Sequence, residues 1–449
     1  MRTTDMTRGS PVRLILGFAL PMMAGSVFQQ LYTIVDAAFV GRFAGIDALA
    51  AVGTADWFSW LVFGVILGYT QGFSILISQR FGAGDTEGLK KSIGQSVTWT
   101  AAIAAALSLV SQALVSPVLR LLHTPADIFP MASLYLRILF GGMLILSAYN
   151  VQSAILRAMG DAKTPLRAMV LASAANIVLD ALFVIAFHWG VAGAAAATVI
   201  AQALSAVYCF GVLRRMRDIR PRGGDWRPEK SMSSSLIRLG TPTAVQNVII
   251  GLGGLVLQSV VNGYGSLFIA GFTATNKLYG LMEMAAVSYG GAIAAYAGQN
   301  YGAGACRRIR QGIRSSAFMA TATALGIGAV LFAGSRAVLA LFVDPGEAQR
   351  EQVLDIAQQY LFIMLGALFV LYLLYVYRSA LQGMGNTVIP MLSGLVELVM
   401  RVGTALTLPR LLGYAGIFWA EPAAWLGAAV LLLVSYQNTI RKITNTEET

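Results

Sequence analysis

The sequence predicts an all-α polytopic membrane protein, with twelve transmembrane helices in two pseudo-symmetric six-helix lobes. Three observations lead there. Of 449 residues, 57% are hydrophobic and only 12% are charged, against about 25% charged residues in soluble domains. Apolar runs recur along the whole chain, each with the roughly 20 residues needed to cross a bilayer core. Short motifs of the first half return in the same order in the second.

The first span is expected over 13–41. The polar MRTTDMTRGSPVR runs straight into it, so no cleavable signal is expected. It carries Pro21 and, about four turns later, Asp36. The second span, 48–78, ends at Gln79-Arg-Phe-Gly-Ala-Gly-Asp85 and is followed by a basic amphipathic stretch. Spans at 92–119 and 131–157 come next, closed by Leu156-Arg-Ala-Met-Gly-Asp-Ala-Lys-Thr-Pro165. The fifth covers 165–188. The sixth, 190–214, opens on the small residues Val191-Ala-Gly-Ala-Ala-Ala-Ala-Thr198, which allow close helix approach.

The basic segment Arg214 to Lys230 then separates two halves: an amino-terminal lobe over 1–214, a cytoplasmic linker over 215–235, and a carboxy-terminal lobe with a short tail over 236–449. The second lobe is expected as spans at 236–262, 268–298, 313–342, 352–382, 387–410 and 413–437. Gln299-Asn-Tyr-Gly-Ala-Gly-Ala305 follows the eighth span and Leu381-Gln-Gly-Met-Gly-Asn-Thr-Val-Ile-Pro390 the tenth, and Pro242 matches Pro21, all at offsets of 220–225 residues. Six spans per half make this a parallel repeat, an arrangement typical of transporters.

The net charge of +11 does not indicate nucleic acid, because it lies in loops. With both termini on the cytoplasmic side, 24 of the 32 Lys and Arg fall at that face, six at the other, and Lys277 and Arg401 within spans. This bias predicts a multi-pass protein of the plasma (inner) membrane with both termini inside. Cys209 and Cys306 form no disulfide or metal framework. The two histidines, His123 and His188, lie near the outer face, and no metalloprotease, serine-hydrolase or phosphate-binding motif occurs. An enzyme is not expected, and neither is a cofactor.

Few polar groups remain at membrane depth, and each charge there costs roughly 2.5–3.5 kcal/mol on insertion scales. The first span offers Tyr32 and Asp36, four apart on one face; the fifth offers Asn176 and Asp180, also four apart; the sixth offers Thr198 and the fourth Tyr135. Two carboxylates, an amide and a hydroxyl suit a proton or a hard monovalent cation such as Na⁺. Two carboxylates in one dry site cannot both ionise cheaply, so the pair can load and release a cation. In the second lobe Glu397 and Arg401 are four apart, and the repeat sets Arg401 opposite Asn176 and Glu421 opposite Thr198. An internal ion pair of Arg401 with Glu397 or Glu421 is expected there. Lys277 and Glu283 are six apart and point to different faces.

The first-span pattern P…Q-x-x-Y-x-x-x-D-x-x-x-V-G, the Q-x-x-G-A-G loops and the L-R-A-x-G-[DN]-x-x-x-P motif resemble the multidrug and toxic compound extrusion (MATE) family over essentially the whole chain. The resemblance implies export of small cationic or amphiphilic compounds, driven by inward H⁺ or Na⁺ flow. It implies that Asp36 is the coupling acid and that Asn176, Asp180 and Thr198 are the cation cluster. Tyr32 and Tyr135 would support that cluster, and helix 1 would bend at Pro21. Some members carry further acids on spans seven and ten; here those spans offer Gln246, Asn247, Gln258, Asn262 and Arg378 instead. The alternative is a lipid-linked oligosaccharide flippase of the same superfamily, with cavity cations for pyrophosphate. The expected partners are the bilayer and the small substrates, with the chain acting as a monomer.

Overall fold

A computed structural model describes residues 3–343 and 349–448, the side chains of 444–448 excepted. Among the described residues every regular element is helical, as a chain with no water to satisfy its backbone must be. In order these are α1 (Pro11–Phe39), α2 (Ile46–Gly82), α3 (Thr86–Leu121), α4 (Phe129–Gly141), α5 (Met143–Ala158), α6 (Lys163–Asp180), α7 (Gly190–Arg215), α8 (Lys230–Asn262), α9 (Ser266–Gly302), α10 (Cys306–Leu339), α11 (Arg350–Gly383), α12 (Val388–Thr407), α13 (Pro409–Leu412) and α14 (Ala420–Glu448). α1 and α6 each run on into a π turn, Val40–Ala44 and Ala181–Ala186.

Among the described residues nine helical stretches are long and apolar enough to cross a membrane, or ten if the bent α4–α5 pair is one span. Two features account for the difference from twelve. Val388–Ile443 is 56 residues long, room for two spans, and is interrupted over Pro409–Trp419. α9, though 37 residues long, is not among the nine; it carries Lys277, Glu283 and four tyrosines. The fourth span, expected as one helix over 131–157, bends by 49° between α4 and α5. The break falls at Gly141 and Gly142, where the Val199 side chain of α7 packs against Gly142.

The repeat is present in the backbone. Positive φ recurs at matched glycines: Gly45 and Gly265 (97° and 85°), Gly84 and Gly304 (both 68°), Gly160 and Gly385 (82° and 88°), Gly190 and Gly413 (54° and 61°). A side chain disfavours that region, so each loop motif keeps its glycine. Asp161 caps α6 by accepting from the backbone N–H groups of Lys163 (3.0 Å) and Thr164 (2.9 Å). Its counterpart Asn386 accepts from the Ile389 N–H at 3.2 Å.

The chain gathers into two compact units, Met1–Asp5 with Leu20–Ala244 and Met6–Ala19 with Val245–Thr449. α1 changes unit just before Pro21 and α8 just after the matched Pro242. Each proline removes one helical hydrogen bond, so both helices are locally weakened where they change unit.

In the first unit Gly68 and Gly72 of α2 let the α8 backbone at Gly240–Ala244 come into contact. Phe58 meets Phe140 edge-on at 5.1 Å. The basic linker is held on α3: Thr98 donates to the Trp226 carbonyl (3.0 Å), the Trp99 indole to Ser233 (3.0 Å), and Lys91 pairs with Glu229 (3.1 Å). In the second unit stacked rings join α9, α11 and the Gly413–Trp419 turn: Phe272 on Tyr360 at 4.7 Å, and Tyr360 on Phe418 at 4.9 Å. The Met6 N–H donates to Gln299 Oε1 at 2.8 Å, and the Met6 carbonyl accepts from Asn300 Nδ2 at 3.1 Å.

Candidate functional site: a carboxyl pair in the first unit

Asp36 lies one turn before the π turn that ends α1, and Asp180 is the last residue of α6 before the second π turn. The two π turns touch. Each inserts an extra residue into a helical turn, a distortion frequent at functional sites, and here each follows an acid. The side chains are enclosed: Asp36 is 8% exposed, Asn176 1% and Asp180 0%. The Asp36 and Asp180 carboxyls lie within electrostatic range of each other.

Their hydrogen bonding is incomplete. Asp36 Oδ1, both Asp180 carboxylate oxygens and both polar atoms of Asn176 are buried with no hydrogen-bond partner in the protein. Buried polar groups are ordinarily paired, and ionised carboxylates can only accept. The arrangement is therefore a surplus of acceptors and negative charge in an enclosed place. A proton answers it by turning one oxygen into a donor to its neighbour. A small cation answers it by taking several oxygens at once. Among the described residues no three His, Cys, Asp or Glu side chains converge as around a multivalent metal. Two carboxylates and an amide oxygen fit a singly charged ion.

Of the remaining predicted residues, Tyr32 and Tyr135 lie within electrostatic range of the pair, and Thr198 joins Tyr32 and Asn176 in a small cavity beside it. Ala172, Ala201 and Gln202 also line that cavity. Tyr32 is within hydrogen-bond reach of Gln202 and within electrostatic range of both acids. Tyr135 of α4, 7% exposed, is within electrostatic range of Asp36 and Asp180. Pro21 lies inside α1, which remains helical through it.

Two residues escaped the sequence reading. Gln202 follows Thr198 by one turn on α7, and that spacing was its signal. Asp56 on α2 is exposed, yet it lies within electrostatic range of Asp36 and Tyr135. Its signal was an acid inside an apolar span.

In the second unit Arg401 pairs with Glu421, Nε lying 2.9 Å from Oε1 and one terminal N–H donating to Oε2 at 2.9 Å. Glu397 is held by Arg378 of α11, not by Arg401 one turn along its own helix. Arg378 is the member of this network that sequence spacing did not pair. Gln246 accepts from Gln382 at 3.2 Å, and Gln258 donates to Asn262 at 2.8 Å.

The family model MatE matches residues 21–182 and again 242–407, so the two matches start 221 residues apart, within the offsets of the repeat. The Probable multidrug resistance protein YpnP of Bacillus subtilis (strain 168) is 33% identical over 310 residues, 69% of each chain. The Probable multidrug resistance protein YoeA of the same organism is 27% identical over 98% of this chain and 96% of its own. Among solved structures, MATE in the bent conformation superposes with a TM-score of 0.92 over 100% of both chains at 24% identity. A MOP superfamily transporter from Pyrococcus furiosus Vc1 (DSM3638) gives 0.93 over 99% of both at 24% identity. The fold is that of twelve transmembrane helices in two six-helix lobes, and the protein is a multi-pass membrane transporter. With the family's model matched twice along its length, the chain belongs to the multidrug and toxic compound extrusion (MATE) family.

Proposed function

We propose that this chain exports small cationic or amphiphilic compounds across the plasma membrane by antiport with H⁺ or Na⁺, through alternating access, as a monomer with both termini cytoplasmic. The observation that carries the reading is the Asp36–Asp180 pair, with its unsatisfied buried oxygens beside Asn176. That pair attracts one positive charge at a time. Loading and unloading of the coupling cation there switches the protein between its two openings, and that switch links the cation's movement to the opposite movement of the exported compound. Neutralising the pair relaxes α1, whose missing hydrogen bond at Pro21 is where it bends. Tyr32, Thr198 and Gln202 line a small polar cavity with Asn176, and Tyr32 lies within electrostatic range of both acids. The names of the relatives support multidrug substrates.

The flippase alternative needs free cations to hold a pyrophosphate. The buried arginines of the second unit are instead engaged by glutamates, which favours the export reading. The test is efflux of a panel of cationic dyes from proteoliposomes, with pH and Na⁺ gradients imposed separately. One gradient drives efflux in the wild-type chain, and Asp36→Asn and Asp180→Asn each reduce it at least tenfold. Efflux indifferent to both gradients, or undiminished in both variants, sinks the assignment.

A further inference from the structure

Glu283 stands at the middle of α9 and is half-buried. Tyr375 of α11 donates its hydroxyl hydrogen to Glu283 Oε1 at 2.8 Å, and Tyr279, one turn earlier on α9, is within hydrogen-bond reach. Glu397 of α12 and Glu421 of α14 lie within electrostatic range of it. Each of those acids has its own arginine, Arg378 and Arg401 respectively. α10 turns Thr323 toward α9, bonded to Tyr289 at 3.0 Å. Lys277 is exposed, six residues away on another face. Three acids and two arginines thus leave one uncompensated negative charge. It falls on Glu283, which makes no ion pair among the described residues.

A carboxylate without a counter-charge is costly at membrane depth, and the protein spends both nearby arginines elsewhere. The groups beside Glu283 are aromatic. The Tyr279 ring is stacked on the buried Trp425, centroids 5.6 Å apart and planes at 19°, so its position is fixed. The Tyr375 ring carries the Arg378 guanidinium 5.7 Å from its centroid, so what Glu283 offers an organic ammonium is its charge, with the carboxylate held in place by the Tyr375 hydroxyl. The Arg378–Glu397 and Arg401–Glu421 pairs keep the other two acids from competing.

We propose that Glu283, with Tyr279 and Tyr375, forms a subsite of the second unit that receives the positively charged group of the exported compound. The proposal rests on the reading that those compounds are cations. It assigns cargo recognition to the second unit, apart from the cation-coupling pair of the first.

The probe is ethidium, a permanent cation, measured by fluorescence anisotropy with the purified full-length chain; Nile red serves as the neutral control. Glu283→Gln binds ethidium at least tenfold more weakly, the loss expected for one charge-assisted contact, and binds Nile red as the wild type does. Glu283→Asp recovers part of the ethidium affinity. In the wild-type chain ethidium shields Glu283 from an apolar carbodiimide, read by peptide mass spectrometry, a measurement that needs no variant to fold. Ethidium affinity unchanged in Glu283→Gln, or no shielding, overturns the subsite while leaving the export reading intact. A wild-type chain that binds no cation overturns both.

Discussion

Replacing Glu421 by Gln strands a buried guanidinium. The Arg401 side chain is 6% exposed and that of Glu421 13%. Glu421 faces Nε and one terminal nitrogen of Arg401 and the other terminal nitrogen has no hydrogen-bond acceptor, so the glutamate carries nearly all of its compensation. Glu397, one turn back, is held by Arg378. Breaking one side of a buried pair costs roughly 3–5 kcal/mol, whereas replacing both charges by apolar groups is often neutral or stabilising by about 1–4 kcal/mol. Glu421→Gln therefore destabilises the second unit by roughly 3–5 kcal/mol, and Arg401→Met with Glu421→Leu restores most of it. The chain has two cysteines, Cys209 and Cys306, both buried and not joined in a disulfide. With Cys209 changed to Ser, Cys306 becomes the single thiol, and it lies in the second unit. A thiol-reactive dye then reports thermal opening of that unit alone. Glu421→Gln lowers the midpoint, and the double variant returns close to the parent. A Glu421→Gln midpoint equal to the parent's, or a double variant no better than the single, refutes the view that this pair is a structural brace.

Asp161→Ala removes the cap of α6 and with it the contact to the Thr164 hydroxyl; a loss of about 0.5–2 kcal/mol is expected in thermal unfolding, with dye affinity unchanged in the surviving folded protein. Gly385→Ala forces a side chain into φ 88° and costs roughly 1–2 kcal/mol, read by the same thermal assay, whereas Gly366→Ala, with no atom near the new Cβ, does not. Asp56→Asn takes a negative charge from within range of Asp36; the concentration of coupling cation giving half-maximal efflux rises a few fold, most at low ionic strength, with the maximal rate retained.

The architecture was legible because bilayer chemistry leaves few choices. Apolar length located the spans, and the loop glycines marked the turns that need positive φ. Asp36, Asn176 and Asp180 stood out because polar groups at membrane depth are costly and i, i+4 spacing shows which share a face. Spacing fails where pairing crosses between helices. Glu397 and Arg401 are ideally spaced for a pair on α12, yet each finds its partner on another helix, Arg378 on α11 and Glu421 on α14. Nothing in a linear pattern distinguishes those outcomes, since they depend on which faces α11 and α14 turn toward α12. Gln202 was obscured for a similar reason: an amide in an alanine-rich helix becomes informative only when Tyr32 stands beside it. The break at Gly142 depends on Val199, a residue of another helix.

The repeat sharpens what the two units do differently. In the first, Asn176 and Thr198 line a common cavity. In the second, the residues matched to them, Arg401 and Glu421, form an ion pair. The fold thus brings the same two positions together twice, with opposite chemical consequence. An amide and a hydroxyl bring no positive charge to the carboxylates of that unit, which on the proposed reading lets a mobile cation enter and leave. A guanidinium and a carboxylate complete each other, and no exchange occurs there. The matching position of Asp36 is Leu257, a buried apolar residue, which removes the acid that exchange would need. The second unit's remaining unpaired acid, Glu283, lies elsewhere, on α9 among aromatic rings. On the two proposed assignments, a single repeated scaffold holds a coupling cation in one unit and the exported cation in the other, without the two binding events requiring the same side chains.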